Sequence, residues 1–115
     1  MHSQHVQPVT DEDFVARVLE AEKPVVVDFW AAWCPPCRMM NPVVGELAQE
    51  LPELSFVALD ADANQRTVIE HGVLSMPTFI VFNGGVEVAR FVGSRPKRRF
   101  ATEITGALAV PARVQ

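Results

Sequence analysis

The chain is poor in features that mark several large classes of protein. It has only two cysteines, Cys34 and Cys37, in 115 residues. That is too few for the disulfide framework of a small secreted scaffold. It has no excess of positive charge: ten Lys and Arg stand against fourteen Asp and Glu, for a net charge of -4. A nucleic-acid surface needs a basic patch, so no nucleic-acid partner is expected. No apolar run approaches the ~18 residues of a membrane span. Residues 1–10 carry His2, Ser3, Gln4 and His5 and lack the apolar stretch of a secretory signal. Internal repeats, low-complexity tracts and linkers are missing as well. The expectation is one domain over residues 1–115, with residues 1–7 a frayed tail and the cytoplasm as compartment. Thiols stay reduced there, so a cysteine pair is expected to be catalytic or metal-binding rather than structural.

About half of the residues are hydrophobic, enough for one core without cross-links. Val6 and Val9 read as a short edge strand, which Pro8 confines to an edge. Thr10-Asp11-Glu12-Asp13 reads as a helix start, with a capping hydroxyl and acids at the positive end of the dipole. Phe14, Val15, Val18 and Leu19 follow at helical spacing, and that helix should end before Pro24. Val25–Trp30 is apolar on both faces and so predicts a central strand. A helix follows from about Pro36 to Leu51, with Met39, Met40, Val43, Val44, Leu47 and Leu51 as its buried stripe and Pro42 as a kink. Ser55–Asp60 predicts a second buried strand and Ala63–Glu70 a short helix closed by His71-Gly72. Thr78–Phe82, the turn Asn83-Gly84-Gly85 and Val86–Val92 predict a hairpin. Phe100, Ile104 and Leu108 mark a last helix that begins at Pro96. Strands alternating with helices predict an α/β fold: a central mixed sheet of four to five strands, helices on both faces, and an antiparallel hairpin at one edge.

The chemistry concentrates at Cys34-Pro35-Pro36-Cys37, where the central strand hands over to a helix. Open α/β sheets carry their sites at such strand ends. Two thiols three residues apart on a first helical turn can close a small-ring disulfide. The helix N-terminus favours the thiolate of Cys34. That thiolate can attack a substrate disulfide, and Cys37 can then attack the mixed disulfide and release the reduced substrate. A structural zinc site wants four ligands, and the other candidates are only His2, His5 and His71. A zinc half-site or two inert core cysteines are the alternatives to redox chemistry.

Asp28 is the anomaly in its strand. It either points outward or bonds a backbone N–H, or it is buried, with its pKa raised by desolvation, and takes the proton of Cys37. Pro77 either begins its strand in the ordinary way or forms a cis bond that turns the Met76 backbone towards an extended substrate chain. Trp33 lies past the strand and reads as an exposed platform beside Cys34, while Trp30 fills the core. Met76, Val92 and Gly93 complete a shallow apolar groove, better suited to protein substrates than to a small molecule. His71 reads as a surface residue. Arg95, Lys97, Arg98 and Arg99 read as a solvated face or, failing that, a docking patch for acidic partners.

The segment Val27-Asp28-Phe29-Trp30-Ala31-Ala32-Trp33-Cys34-Pro35-Pro36-Cys37 strongly resembles the active-site segment of the thioredoxin family. Met76-Pro77-Thr78 resembles its cis-proline loop, and Val92-Gly93 its last substrate-facing segment. The resemblance runs from about Val6 to Leu108. It implies a thioredoxin fold, reduction of protein disulfides through Cys34 and Cys37, and a substrate groove of Trp33, Pro36, Met76, Pro77, Val92 and Gly93. It further implies a monomer with no bound cofactor, recharged by a thioredoxin reductase. Asp28 matches the family's buried aspartate, whose usual lysine neighbour is replaced here by Ala58. Asp28 is therefore expected to lack a nearby ammonium and to have its pKa set more by burial alone.

Typical members carry Gly-Pro between the cysteines, whereas this chain carries Pro35-Pro36. A second proline removes an N–H and stiffens the loop, with opposed effects on the redox balance. A specialised relative dedicated to one partner, an oxidant or isomerase, and a redox-inert binding module are the alternatives to a general reductant. A potential near about -270 mV marks a reductant and one near about -120 mV an oxidant.

Overall fold

The structure is a computed structural model and describes residues 2–109. Its five strands are β1 (Gln7–Pro8), β2 (Val25–Trp30), β3 (Ser55–Asp60), β4 (Thr78–Asn83) and β5 (Val86–Val92), and its helices are α1 (Pro35–Glu50), α2 (Gln65–Glu70) and α3 (Lys97–Ala109). They form a single mixed sheet of order β1-β3-β2-β4-β5, in which β1, β3 and β2 run parallel. β4 runs antiparallel to β2, and β5 antiparallel to β4. The antiparallel part thus begins one strand earlier than alternation alone implies, because the chain from β3 through α2 re-enters the sheet from the opposite end.

The β-branched run of β2 is fully buried because both faces of the sheet are covered. Val25, Val27 and Phe29 point to one side, where they meet Phe14, Val18 and Val73. Val26 points to the other side, into a cluster with Met40, Val44 and Leu47 of α1 and Phe100 and Ile104 of α3. Alternation puts Asp28 on this second face, level with Ala58 of β3 and Phe79 of β4. Met39 is corrected from the expected buried stripe: it is 68% exposed, since the i, i+4, i+7 pattern of Met40, Val44 and Leu47 turns it to solvent.

Thr10 and Asp13 form a reciprocal cap, the Thr10 N–H donating to Asp13 Oδ1 at 2.7 Å and the Asp13 N–H to Thr10 Oγ1 at 3.4 Å. The expected helix behind it is only a turn leading into a π-helical stretch, Val15–Leu19. α1 runs on through Pro42. α2 closes on Gly72 at φ +62°, the left-handed position that glycine occupies without strain. His71, expected at the surface, packs its ring against Phe14 and Phe82.

The N-terminal segment departs furthest from expectation. Residues 2–7 are not a frayed tail but fold back over the sheet; Met1 lies outside the described residues. The Val6 N–H donates to the Ser3 carbonyl at 3.0 Å, and Val6 is buried in the α1–α3 face of the core. Ser3 lies against Gly45 of α1, where a Cβ would stand 3.1 Å from that of Ser3.

Candidate active site

Cys34 caps α1. The two residues after it are prolines, so the first turn of the helix lacks two of its usual free N–H groups. The next two N–H groups both serve Cys34. That of Cys37 donates to the Cys34 sulfur at 3.2 Å and to the Cys34 carbonyl at 3.1 Å, and that of Arg38 to the same carbonyl at 3.3 Å. The prolines therefore leave one helical N–H aimed at the sulfur, where the dipole already favours negative charge. The two cysteines are joined in a disulfide, with Cα atoms 5.3 Å apart.

The disulfide sits in a small apolar cluster with Ala31, Trp30 and Met76. Cys34 is only 2% exposed. Its sulfur lies 3.5 Å from the Met76 carbonyl oxygen. The Met76–Pro77 bond is cis. The Gly93 N–H donates to the Pro77 carbonyl at 2.9 Å, and Val92 pairs with Thr78 across the β4–β5 ladder. Met76, Pro77, Val92 and Gly93 thus meet on one rim. Trp33 stands 66% exposed, its indole N–H donating to Asp62 Oδ2 at 3.0 Å. Pro36 is exposed on the first turn of α1.

Asp28 is buried and points inward, so the outward reading of this residue is set aside. Its Oδ1 makes no hydrogen bond among the described residues, and its Oδ2 lies 2.7 Å from His2 Nε2. Burial pushes the carboxyl above its ordinary range, and the hydrogen bond and charge of His2 oppose that rise. β3 offers only Ala58 beside Asp28, as expected. Burial is the larger influence, as expected, but an imidazole from the N-terminal segment acts against it. His2 is the residue that the sequence reading missed. The available signal was the aspartate itself: a buried carboxylate beside an alanine needs a partner from elsewhere.

The basic cluster at the start of α3 is largely committed to internal pairs. Arg95 contacts Glu103 at 2.7 Å, Lys97 contacts Glu46 and Glu50 of α1 at 3.1 and 2.7 Å, and Arg99 contacts Glu103 at 3.1 Å. No three His, Cys, Asp or Glu side chains among the described residues gather as a metal site. No described helix is long and apolar enough to cross a membrane.

Residues 5–106 match the family model described as Thioredoxin. The chain belongs to the thioredoxin family. It is 43% identical to a thioredoxin of Synechocystis sp. over 97 residues, covering 84% of this chain and 91% of that protein. It is 45% identical to a thioredoxin of Mycolicibacterium smegmatis over 103 residues, covering 87% and 92%. It is also 45% identical, over 98 residues and 84% of its length, to part of a bifunctional thioredoxin reductase/thioredoxin of Mycobacterium leprae, of which the match spans 21%. With family and cysteine geometry together, the activity is reduction of protein disulfides through the Cys34–Cys37 dithiol.

Proposed function

We propose that Cys34 is the attacking thiol, Cys37 the resolving thiol and Asp28 the acceptor of the Cys37 proton. The observation that carries this order is the Cys37 N–H directed at the Cys34 sulfur, 3.2 Å away. An N–H donor at the head of a helix favours a thiolate on Cys34 over one on Cys37. The Cys34 thiolate attacks one sulfur of a substrate disulfide, forming a mixed disulfide and expelling the other sulfur as a thiolate. Asp28 takes the Cys37 proton. The Cys37 thiolate then attacks the Cys34 sulfur, closes the disulfide and expels the second substrate thiolate. Two electrons pass to the substrate.

The rim of Trp33, Pro36, Met76, Pro77, Val92 and Gly93 is the substrate surface. It is shallow, as suits a protein chain rather than a small molecule. The electron donor is a thioredoxin reductase, a reading supported by a relative whose name joins both activities in one protein. The protein works as a monomer in the cytoplasm, over one domain, and binds no cofactor.

A protein-disulfide reduction assay with NADPH and a thioredoxin reductase tests this reading. Turnover is expected for the wild type, none for Cys34→Ser, and an accumulating Cys34 mixed disulfide for Cys37→Ser. Retained turnover in Cys34→Ser would overturn the order of attack. Failure of the reductase to recharge a protein that chemical dithiols do recharge would overturn the choice of donor.

A further inference from the structure

We propose that His2 is a positioning and proton-relay residue for Asp28, joining the buried carboxyl to solvent through its imidazole. The inference rests on the reading of Asp28 as proton acceptor. A carboxylate that accepts a proton in a dry site must lose it again before the next turnover. Asp28 is almost wholly buried, with its other oxygen unpartnered among the described residues, so its outlet has to be a group that touches it. His2 Nε2 does so at 2.7 Å, and the His2 side chain keeps 9% of its own surface exposed.

Several contacts make this more than a loose encounter. The His2 ring packs edge-on against Trp30, with centroids 5.3 Å apart. The next residues form a hydrogen-bonded turn, in which the His5 N–H donates to Ser3 Oγ at 3.0 Å and the Val6 N–H to the Ser3 carbonyl. Val6 then anchors the segment in the core. Gly45 leaves on α1 the space that Ser3 occupies. The N-terminal segment is thus a strap with two anchors and an imidazole over the carboxylate.

The other groups near this point do not offer the same service. His5 from the strap and Arg38 and Glu46 from α1 share with His2 a shallow outer cleft. The guanidinium of Arg38 is bonded to the Ala32 carbonyl. Asp60 at the end of β3 lines a second cleft with His2. β4 and α3 face this part of the core with Phe79 and Phe100. Of these described groups only the His2 imidazole reaches the carboxylate, and an imidazole can both accept and donate a proton.

The relay balances as follows. Asp28 gains the proton of Cys37 as the Cys34–Cys37 bond forms and the substrate thiolate leaves. The proton passes from the carboxyl to His2 Nε2, and the resulting imidazolium gives up a proton to water. Asp28 is then ionised again.

The test compares wild type, His2→Ala, His2→Gln, His2→Lys and Asp28→Asn by two readings. One is the Asp28 carboxyl titration followed by carbon NMR. The other is the pH profile of substrate release from a preformed Cys34 mixed disulfide. His2→Ala is expected to move the Asp28 titration and the rise of the rate profile to higher pH. It should slow release at neutral pH on the order of tenfold, the scale of one charge-assisted hydrogen bond. His2→Lys should recover much of the shift. His2→Gln, which can bond but not ionise, should recover the position of the strap but not the profile. Full rescue by His2→Gln, or an unchanged titration in His2→Ala, overturns the proposal. If Asp28→Asn slows release and His2→Ala does not, the relay alone fails. If Asp28→Asn releases substrate at the wild-type rate, the reading of Asp28 itself fails.

Discussion

Asp28 and Ala58 are register partners across the β2–β3 ladder, so the strand beside the buried carboxylate contributes a methyl group and no charge. A lysine introduced at position 58 would rise from the same face of the sheet as Asp28. Ala58→Lys is expected to lower the Asp28 pKa, because a neighbouring ammonium favours the ionised form. It should also make His2 largely dispensable: the effect of His2→Ala on the Asp28 titration should shrink in the Ala58→Lys background. NMR titration of the single and double variants checks this, and full additivity would refute it.

Asp28 also sets a pH dependence of stability. Its folded-state pKa is raised, chiefly by burial and despite the His2 hydrogen bond. The folded state therefore holds the Asp28 proton more tightly than the unfolded state does. The resulting stability is fully present below the unfolded pKa and is lost as pH rises through the folded value. Asp28→Asn removes that loss. Its unfolding midpoint should exceed the wild-type midpoint at pH 8, and the gap should close towards pH 4. The gain is about 1.4 kcal/mol for every tenfold by which folding weakens the acid. The same substitution should slow resolution of the mixed disulfide by about 100-fold, the lower range for loss of a general base. Urea titrations at several pH values and mixed-disulfide release rates measure the two effects separately.

How far the sequence exposes this site depends on the distance over which each contact acts. The β-branched run of β2 and the cysteines that follow it are adjacent in the chain, and their local pattern names strand, helix start and chemistry together. The Asn83-Gly84-Gly85 turn is equally local, with Gly84 and Gly85 at φ +63° and +81°. The direction of β4 is not local. It depends on how the segment from β3 through α2 returns to the sheet, which no periodicity records. The contact of His2 with Asp28 spans 26 positions. A short polar segment carries little sign of docking, because its anchors are Val6 and a missing side chain at Gly45. The π-helical stretch at Val15–Leu19 keeps Val18 buried, and a window of apolar residues does not distinguish it from an ordinary helix.

Arg95 holds together the rim behind the groove. Its guanidinium donates to Glu103 at 2.7 Å, to the Gly93 carbonyl at 3.2 Å and to the Val92 carbonyl, and it lies 5.7 Å from the centre of the Phe91 ring. Burial pushes the Glu103 carboxyl up, but the bonds and charges of Arg95 and Arg99 outweigh it and hold the carboxyl below its ordinary range. The pair's contribution is therefore present above the unfolded pKa of Glu103 and lost as pH falls through the folded value. Arg95→Ala should cost about 1–3 kcal/mol at neutral pH, and less as pH falls through the folded value and the Glu103 carboxyl takes up its proton. It should also weaken substrate binding by loosening Val92 and Gly93. Denaturation at pH 7 and pH 3.5, with KM for a protein substrate, tests both effects.

The two glycines of the β4–β5 turn should respond very differently to the same substitution. Both have positive φ, so alanine is strained at either position. At Gly84 a new Cβ meets nothing within 4 Å, whereas at Gly85 it would stand 2.7 Å from the Leu19 carbonyl oxygen. That oxygen belongs to the backbone at the end of the π-helical stretch, and moving it would disturb the contact of Phe14 and Val18 with the sheet. Gly84→Ala should cost about 1 kcal/mol, the conformational penalty alone. Gly85→Ala should cost about 2–4 kcal/mol, because steric overlap adds to that penalty. Gly84→Asn should come close to wild type, since asparagine tolerates the left-handed region of such turns. Unfolding midpoints of the three variants decide the matter, and equal losses at positions 84 and 85 would mean that the turn does not rest on Leu19 in solution.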